Sequence, residues 1–321
     1  MAVVGSGIGG YTDGNQNVSG GTLAPGVATY YEKVFLARAK YALILKEGAQ
    51  IRTHPANEGR TVNFTRLNNI GIVTTPLGEL SNPVTCPINL STVSMTLSEY
   101  GLTTFTSRFG SLVSIDANMK EQIAGVGQNM GETLNRLTGI ELRDGATSYF
   151  GNDHSVSTFT AGDTLDACDI RMMVRTLELN KTMRYADGFF LAKTDPYNKI
   201  NLIADTTWVN GKQYSDIKDL YLGEMGELYG VRWLLNVDVL SGTEAASTAS
   251  SGVTRFYTFV HGRDAFGCYD LEKDVPKLYL LPNAVDTNSP AGRLSVISWA
   301  GSYATKILNK DWAISGRFAA V

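Results

Sequence analysis

Cysteine is scarce in this chain of 321 residues, and the few cysteines follow no motif. Cys86, Cys168 and Cys268 are far apart, odd in number and never in the C-x-x-C spacing of redox and zinc sites. That pattern argues against a disulfide framework and favours synthesis in a reducing compartment. We therefore predict that the thiols are buried.

Histidine is equally scarce, and His54, His154 and His261 are its three occurrences. None has a second histidine or a cysteine at metal-ligand spacing. The motifs G-x-S-x-G, H-E-x-x-H and G-K-[ST] are also absent, so the chain has no sequence signature of a hydrolase, a zinc protease or a phosphate loop. The sequence predicts surface histidines, no metal site and no catalytic residues.

Basic residues are not in excess, since 28 Lys and Arg stand against 31 Asp and Glu, with a net charge of −3. A protein that binds nucleic acid through a basic surface needs clustered basic side chains, so the charge balance argues against that class. A protein that only lines a space containing nucleic acid is permitted. Apolar runs of ~18 residues, as a membrane span requires, are also missing. The glycine-rich start lacks the positive charge of a signal peptide.

Two motifs have both a chemical and a structural interpretation. Residues 5–10 (GSGIGG) match the dinucleotide fingerprint G-x-G-x-x-G, but the buried strand before it and the helix after it are missing. Asp163, Asp166 and Asp169 recur every three residues at the start of a predicted helix. They could bind a divalent ion, yet carboxylates also stabilise a helix N-terminus by ~0.3–1 kcal/mol each. We prefer the helix-terminus interpretation and predict no cofactor.

What the first half does contain is a polar ribbon between two long helices. Residues 1–27 are rich in Gly, Ser, Asn and Thr and predict a flexible arm. Apolar residues at steps of three and four predict helices over residues 30–48 and 115–142. Strand formers and turn residues predict a two-stranded ribbon over residues 59–97. Because an isolated hairpin is marginal in water, we expect the ribbon to pack on a neighbouring copy and to be disordered in an isolated monomer.

The second half has a mixed α/β pattern. A third helix is predicted over residues 164–183, with Cys168, Met172, Leu179 and Met183 on one face. Residues 241–252 predict a low-complexity surface loop. Short strands are predicted over residues 188–192, 231–240, 253–260, 277–281 and 294–299.

Several phrases, taken in order, resemble the major capsid proteins of tailed bacteriophages. The resemblance covers roughly residues 28–318 and is greatest to the family typified by the coliphage N-four. The phrases are YEKVFLARAK at residues 31–40, EGRTVNFTR at 58–66, LSEYG at 97–101, DTTWVNGKQY at 205–214, GEMGELYGVR at 223–232, VHGRDAF at 260–266 and the segment at 298–308.

The resemblance implies an α+β chain with the tailed-phage capsid fold, named for phage HK-ninety-seven and shared with encapsulins. An N-terminal arm and first helix would occupy residues 1–50, and an extended loop (the β-ribbon) residues 51–100. The peripheral domain would span residues 101–163, with a spine helix at 115–142. The axial domain would span residues 164–288, and residues 289–321 would return to the peripheral domain.

The function that this resemblance implies is structural. Many copies, as hexamers and pentamers, would self-assemble into an icosahedral shell around packaged double-stranded DNA, without sequence-specific DNA binding. The protein would be made in the bacterial cytoplasm, reside in the virion, and have scaffolding, decoration and portal proteins as further partners. The alternative is an encapsulin-like compartment around protein cargo. A dinucleotide-dependent enzyme would depend on the weak glycine match alone.

Two sets of residues are candidates for roles in such a shell. Arg60, Arg66 and Glu79 are candidates for inter-subunit ion pairs, although they could also only solubilise an edge strand. A second set of three glycines lies inside the spine helix, where each costs up to ~1 kcal/mol relative to alanine. We hypothesise that they let the helix bend in an immature shell and straighten in the expanded one. These glycines are Gly125, Gly127 and Gly131.

Overall fold

A computed structural model defines the fold. It describes residues 25–55, 58–67, 72–74, 76–79, 82–83, 85–113, 119–205, 226–238, 240–242, 253–272, 274–284 and 291–319. Residues 1–24 of the predicted arm and residues 243–252 of the predicted loop lie outside these ranges. The ends of both predictions are wrong, because residues 25–27 belong to a helix and residues 241–242 to a strand. Within them, no helix is long and apolar enough to cross a membrane.

Five α-helices and fourteen strands make up the described chain. The helices are α1 (Pro25–Ala42), α2 (Arg108–Val113), α3 (Met119–Gly145), α4 (Ala167–Leu179) and α5 (Pro196–Ala204). The strands of the first half are β1 (Gln50–His54), β2 (Thr61–Leu67), β3 (Leu90–Thr96), β4 (Ser98–Ser107) and β5 (Thr147–Phe150). The later strands are β6 (Phe190–Thr194), β7 (Gly226–Leu228), β8 (Val231–Leu235), β9 (Ser241–Gly242), β10 (Arg255–His261), β11 (Phe266–Leu271), β12 (Lys277–Ala284), β13 (Leu294–Ile307) and β14 (Ala313–Ala319).

The strands form two sheets and a separate ribbon. The first sheet has the order β1-β11-β13-β12, with β4 paired to the opposite side of β13. The second sheet has the order β5-β14-β10-β6-β8-β7, with β9 on β10. Among the described strands, β2 and β3 pair only with each other, in antiparallel register from Thr61↔Thr96 to Leu67↔Leu90. The last two strands are therefore interior strands, β13 in the first sheet and β14 in the second.

The main hydrophobic core lies between the first sheet and the helix pair α1 and α3. Phe35 of α1, Met130 of α3 and Trp299 of β13 are almost completely buried in it. The predicted apolar stripe of the long helix is confirmed at its centre, where residues 123, 126, 130 and 134 are buried. Residues 114–118, where that helix was predicted to begin, lie outside the described ranges. A second core lies where α4 packs on the second sheet, around Met173 and Trp233.

The first helix is displaced toward the N-terminus relative to the prediction of residues 30–48. It spans Pro25–Ala42, and a turn follows before β1. Gly48, predicted to stop the helix, instead ends this turn with a φ of +76°, which favours glycine. A Cβ atom there would stand 2.5 Å from the hydroxyl oxygen of Tyr185. The turn therefore needs glycine for both its backbone angle and its packing.

The third predicted helix is shorter than expected and presents a different face. It spans Ala167–Leu179 rather than residues 164–183. The buried face carries Ile170, Met173, Val174 and Leu177. The predicted face is wrong, because Cys168 is exposed and Leu179 and Met183 are 69% and 57% exposed. Asp166 caps the start of the helix, and its side chain accepts the Asp169 amide at 2.9 Å in a reciprocal capping box.

Candidate assembly surfaces

The base of the ribbon packs on its own chain. Val62 and Phe64 of β2 and Met95 of β3 are buried against the first sheet, and the Phe64 ring meets Tyr269 edge-on at 5.0 Å. The Arg52 guanidinium lies over the Phe64 ring at 5.2 Å. This corrects the expectation that the ribbon finds its whole apolar surface on a neighbouring copy.

Farther from the base, the ribbon's apolar residues lose these contacts. Among the described residues, Ile72 is 79% exposed, and Val73, Leu77 and Ile88 are each more than 60% exposed. Several exposed large apolar side chains in one segment indicate a surface for another molecule. The expectation that the ribbon packs on a neighbouring copy therefore fits these described residues farther from the base, and not the base itself.

The three charged candidates on the ribbon have different environments. Arg60 bridges the ribbon to its base, because its Nε donates to the Leu97 carbonyl at 2.6 Å and its Nη2 to Ser98 at 3.4 Å. Arg66 is half-buried and Glu79 is exposed. Within the described part of the chain, none of the three forms an ion pair. Their assignment to inter-subunit contacts remains a prediction.

Two of the three spine-helix glycines have a packing role. A Cβ atom on Gly127 would stand 2.5 Å from the Phe35 carbonyl oxygen, and one on Gly131 would stand 2.6 Å from the Ala39 carbonyl oxygen. These glycines let α1 and α3 approach closely. A Cβ atom on Gly125 would meet no described atom within 4 Å. The hypothesis of helix bending is untested, and Gly125 is the one of the three without a packing role in the described chain.

The turn between α1 and β1 is held by polar groups from both sheets and from α3. Its Leu45 amide donates to Asn135 of α3 at 2.7 Å. The Lys193 ammonium, from β6, donates to the carbonyls of Leu45 at 2.8 Å and Glu47 at 2.5 Å. Complete burial lowers the pKa of Lys193 to about 7. The residues around this turn thus connect the two sheets.

The burial of Lys193 and of its neighbour His261 was not predicted from the sequence. Lys193 follows the apolar run Phe-Leu-Ala inside a strand in which every residue is buried. The lysine that interrupts this apolar run is the sequence feature that could have predicted a buried ammonium group. Its neighbour His261 is completely buried, and its Nδ1 lies 3.0 Å from the Tyr185 hydroxyl. Burial and the nearby Lys193 charge lower the pKa of His261 well below its usual value.

The histidine and cysteine predictions are partly wrong. His54 and His261 are buried rather than on the surface, while His154 is exposed and lies 3.0 Å from Asp163. Of the cysteines, Cys268 is buried and the other two are exposed. Periodicity could not reveal this, because the aromatic partners Tyr269 of His54 and Tyr185 of His261 are distant in sequence.

The aspartate triplet has a structural role. Asp166 and Asp169 form the cap of α4, and Asp163 accepts the Thr160 amide at 2.7 Å. Burial raises the pKa of Asp169 to about 6, although the Tyr149 hydroxyl donates to it at 2.8 Å. No group of three potential metal ligands occurs among the described residues. The helix-terminus interpretation is thus confirmed for Asp166 and Asp169.

The described chain has the fold of tailed-phage capsid proteins. The capsid of Ralstonia phage GP4 is similar with a TM-score of 0.67 at 12% identity, over 85% of this chain and 87% of that one. The capsid asymmetric unit of cyanophage Pam1 has a TM-score of 0.63 at 15% identity, over 97% and 98%. The capsid structure of cyanophage P-SCSP1u is also similar, with a TM-score of 0.63 at 12% identity, over 87% of this chain and 89% of that one.

No family model and no curated protein matches the sequence. The predicted fold is confirmed by the structural similarity. The assignment to the N-four family and the predicted domain boundaries remain predictions.

Proposed function

We propose that this chain is a major capsid protein whose copies assemble, as hexamers and pentamers, into an icosahedral shell around double-stranded DNA. The similarity to phage capsid structures over most of the chain supports the proposal. The ribbon is the observation that carries it. Its base is buried in its own chain, whereas its distal apolar residues are exposed. A shell subunit needs such a projecting surface to reach its neighbours.

The charge of the chain suits the inside of a DNA-filled shell. The net charge is −3, so the wall would not bind the DNA tightly while it is packaged. Contact with DNA would be non-specific. The protein would be made in the host cytoplasm and reside in the virion, with scaffolding, decoration and portal proteins as further partners. Arg66 and Glu79 remain our candidates for ion pairs between subunits, and Arg60 for a group shared between the ribbon base and a neighbour.

Electron microscopy of the purified full-length protein tests self-assembly. We expect shells or ring-shaped capsomers with sixfold and fivefold arrangement. A discrete particle of one or two chains at every protein concentration and ionic strength would contradict the proposal.

A charge on the distal ribbon tests which surface assembles. Leu77→Asp places a carboxylate on an apolar side chain that is 61% exposed, so the subunit should fold normally but lose assembly. Thr92→Asp is the matched control, because Thr92 is exposed near the ribbon base and is not part of the distal apolar cluster. Circular dichroism would report folding, and sedimentation velocity the assembled fraction. Equal assembly of both variants would exclude the distal ribbon as a contact.

The contents of native particles separate the two kinds of shell. DNA of constant length inside them supports a phage capsid, whereas protein cargo without DNA supports the encapsulin-like alternative.

A further inference from the structure

The turn between α1 and β1 is tied to the second sheet through its backbone carbonyls. Lys193 of β6 donates to two of them, those of Leu45 and Glu47. The Tyr185 hydroxyl, from the loop before β6, donates to a third, that of Gly48, at 2.8 Å. Loss of these contacts would free the turn from the second sheet, whereas its bond to α3 through the Leu45 amide would remain.

The acceptors around Lys193 match a neutral amine. A neutral amine has two N–H groups, and the turn supplies an acceptor for each. An ammonium group has three N–H groups, and among the described residues the third has no hydrogen-bond acceptor. The Phe266 ring, 4.8 Å from Nζ, offers a cation–π contact in its place. Protonation would therefore leave a buried charge with an unsatisfied donor, which costs free energy.

His261, on the strand β10 that pairs with β6, has the same property. Its Nδ1 lies 3.0 Å from the Tyr185 hydroxyl, while its buried Nε2 has no hydrogen-bond partner among the described residues. A neutral imidazole carries one N–H, but an imidazolium carries two, so protonation would place an unpaired donor at Nε2. Burial and the nearby Lys193 charge both lower the pKa of His261. The two residues therefore favour each other's uncharged form.

Two further titratable groups face Lys193, and neither neutralises it. They are Glu47 of the turn and Cys268 of β11. Burial outweighs both of them and lowers the pKa of Lys193 to about 7. The Glu47 side chain is exposed, and burial raises the pKa of the Cys268 thiol. Lys193 therefore changes its charge near neutral pH while the chain is folded.

The remaining charged groups near this site act on Tyr185 or are paired with each other. The charges that face Tyr185 are those of Asp264, Glu47 and Arg263. Burial has the largest effect on the Tyr185 hydroxyl and raises its pKa, so the hydroxyl stays neutral. Lys46 of the turn pairs with Asp270 of β11 at 3.1 Å. Lys193 and His261 are therefore the two groups whose proton affinity would rise when the turn opens.

A small pocket brings solvent close to this site. Its volume is about 140 Å³, and its lining includes Glu47, Gly48, Tyr185 and Leu191. His261 lies directly behind this lining, because a Cβ atom on Gly48 would stand 2.8 Å from the His261 Cε1. A local opening of the turn would therefore expose both titratable groups to bulk water.

We propose that Lys193 and His261 form a pH-dependent latch, which holds the turn between α1 and β1 against the second sheet while both are uncharged and releases it when acid protonates them. The turn is the element that opens, and its release would loosen the connection between the two sheets of a folded subunit. The latch needs no partner chain. Its test is therefore independent of shell assembly.

Hydrogen exchange of the dilute, full-length subunit at pH 8.5 and pH 6 tests the latch, with each rate divided by that of an unstructured peptide at the same pH. The measured segment is residues 43–49. Its opened fraction should rise ~30-fold from pH 8.5 to pH 6 through Lys193, and a further ~4-fold through His261. The turn should remain less protected than the centre of α3, because it opens locally.

Three variants separate titration from simple packing. Lys193→Met should open the turn more at both pH values and reduce the pH ratio to the ~4-fold that His261 supplies. Tyr185→Phe removes the bond to Gly48 but no group that titrates in this range, so the turn should open more while the pH ratio is kept. Lys306→Met is the matched control, since Lys306 pairs with Glu141 away from the turn. It should leave both the protection and the ratio unchanged.

Three results would overturn the latch. The first is equal corrected protection of the turn at both pH values in the unchanged protein. The second is an undiminished pH ratio in Lys193→Met, because another group would then be the one that titrates. The third is a turn as well protected as the centre of α3, since it would then open only when the whole subunit unfolds.

Discussion

Lys193 puts an ammonium group into the protein interior with two backbone carbonyls as its acceptors. Neither carbonyl carries a formal charge, so burial dominates and lowers the lysine pKa to about 7. An unfolded lysine has a pKa of about 10.4. Between these two values the unfolded chain binds a proton that the folded chain does not. The free energy of unfolding therefore rises with pH through this interval, by linkage.

We predict that the free energy of unfolding of the isolated subunit increases from pH 7 to pH 8.5. In Lys193→Met the slope over this window should be clearly smaller, although the two unpaired carbonyls will also lower the overall stability by ~1–3 kcal/mol each. Urea titrations at several pH values measure both quantities. Lys306→Met is the control, because the Lys306 side chain is only half-buried and is paired with Glu141. Equal slopes in Lys193→Met and wild type would contradict the assignment.

The spine-helix glycines differ in what a methyl group would do. Gly127→Ala places a Cβ atom 2.5 Å from the Phe35 carbonyl oxygen, and we expect a loss of ~1–3 kcal/mol of stability. Gly125→Ala meets no described atom and should be neutral or stabilise by up to ~1 kcal/mol. Urea unfolding of the two variants side by side measures the difference. Equal destabilisation by both would show that close packing against α1 is not the reason for Gly127.

At the scale of elements, the ribbon consists of a base fixed to the first sheet and a distal part that lacks those contacts. Phe64 connects the base to the sheet through Tyr269 and Arg52. The base is thus an intramolecular unit, and only the remainder of the ribbon is left for contacts elsewhere.

We predict that Phe64→Ala opens the ribbon locally. Removal of a buried phenylalanine side chain costs ~3–5 kcal/mol, so β2 and β3 amides should exchange ~100-fold faster or more. Amides of α3 should change little, because local units open independently. Asn63→Ala is the control, since Asn63 is the exposed neighbour on the same strand. Equal exchange of β2 and β3 in Phe64→Ala and wild type would contradict the role of this contact.

Elements with a regular apolar period could be predicted from the sequence, and those without one could not. The stripe of α3 is regular, and its centre is buried as predicted. Helix α4 has apolar residues on more than one face. Packing on the second sheet buries Ile170 and Met173, whereas the prediction placed Met172 and Leu179 on the apolar face. Strand β4 was missed because Gly101 and three threonines obscure any alternation, and its pairing with β13 depends on residues far along the chain.

At the scale of the whole molecule, the resemblance identified the fold, but the residues in contact depended on tertiary structure. The ribbon's own base, the buried lysine and the parallel helix pair all join segments that are distant in sequence. No local pattern specifies which segments these are. The charged candidates Arg60, Arg66 and Glu79 illustrate this, because among the described residues only Arg60 has a hydrogen-bond partner in its own chain, at the ribbon base.

The bending hypothesis is best tested with a single glycine. Gly127→Ala would also disturb the contact with α1, whereas Gly125→Ala stiffens the helix without a collision. If the helix bends in an immature shell, Gly125→Ala shells should expand more slowly or not at all. Gln128→Ala, also exposed on α3, is the control. Cryo-electron microscopy of shells before and after expansion gives the measurement, and wild-type expansion would contradict the hypothesis.

The interior positions of β13 and β14 have a consequence for biosynthesis. The Thr104 hydroxyl donates to the Ile297 carbonyl, 193 residues later in the chain. Contacts of such long range make folding slow, because a large loop must close before they form. A ribosome that has synthesised everything up to residue 293 has produced neither of these two strands. The nascent chain can therefore complete its two sheets only after residues 294–319 have been synthesised.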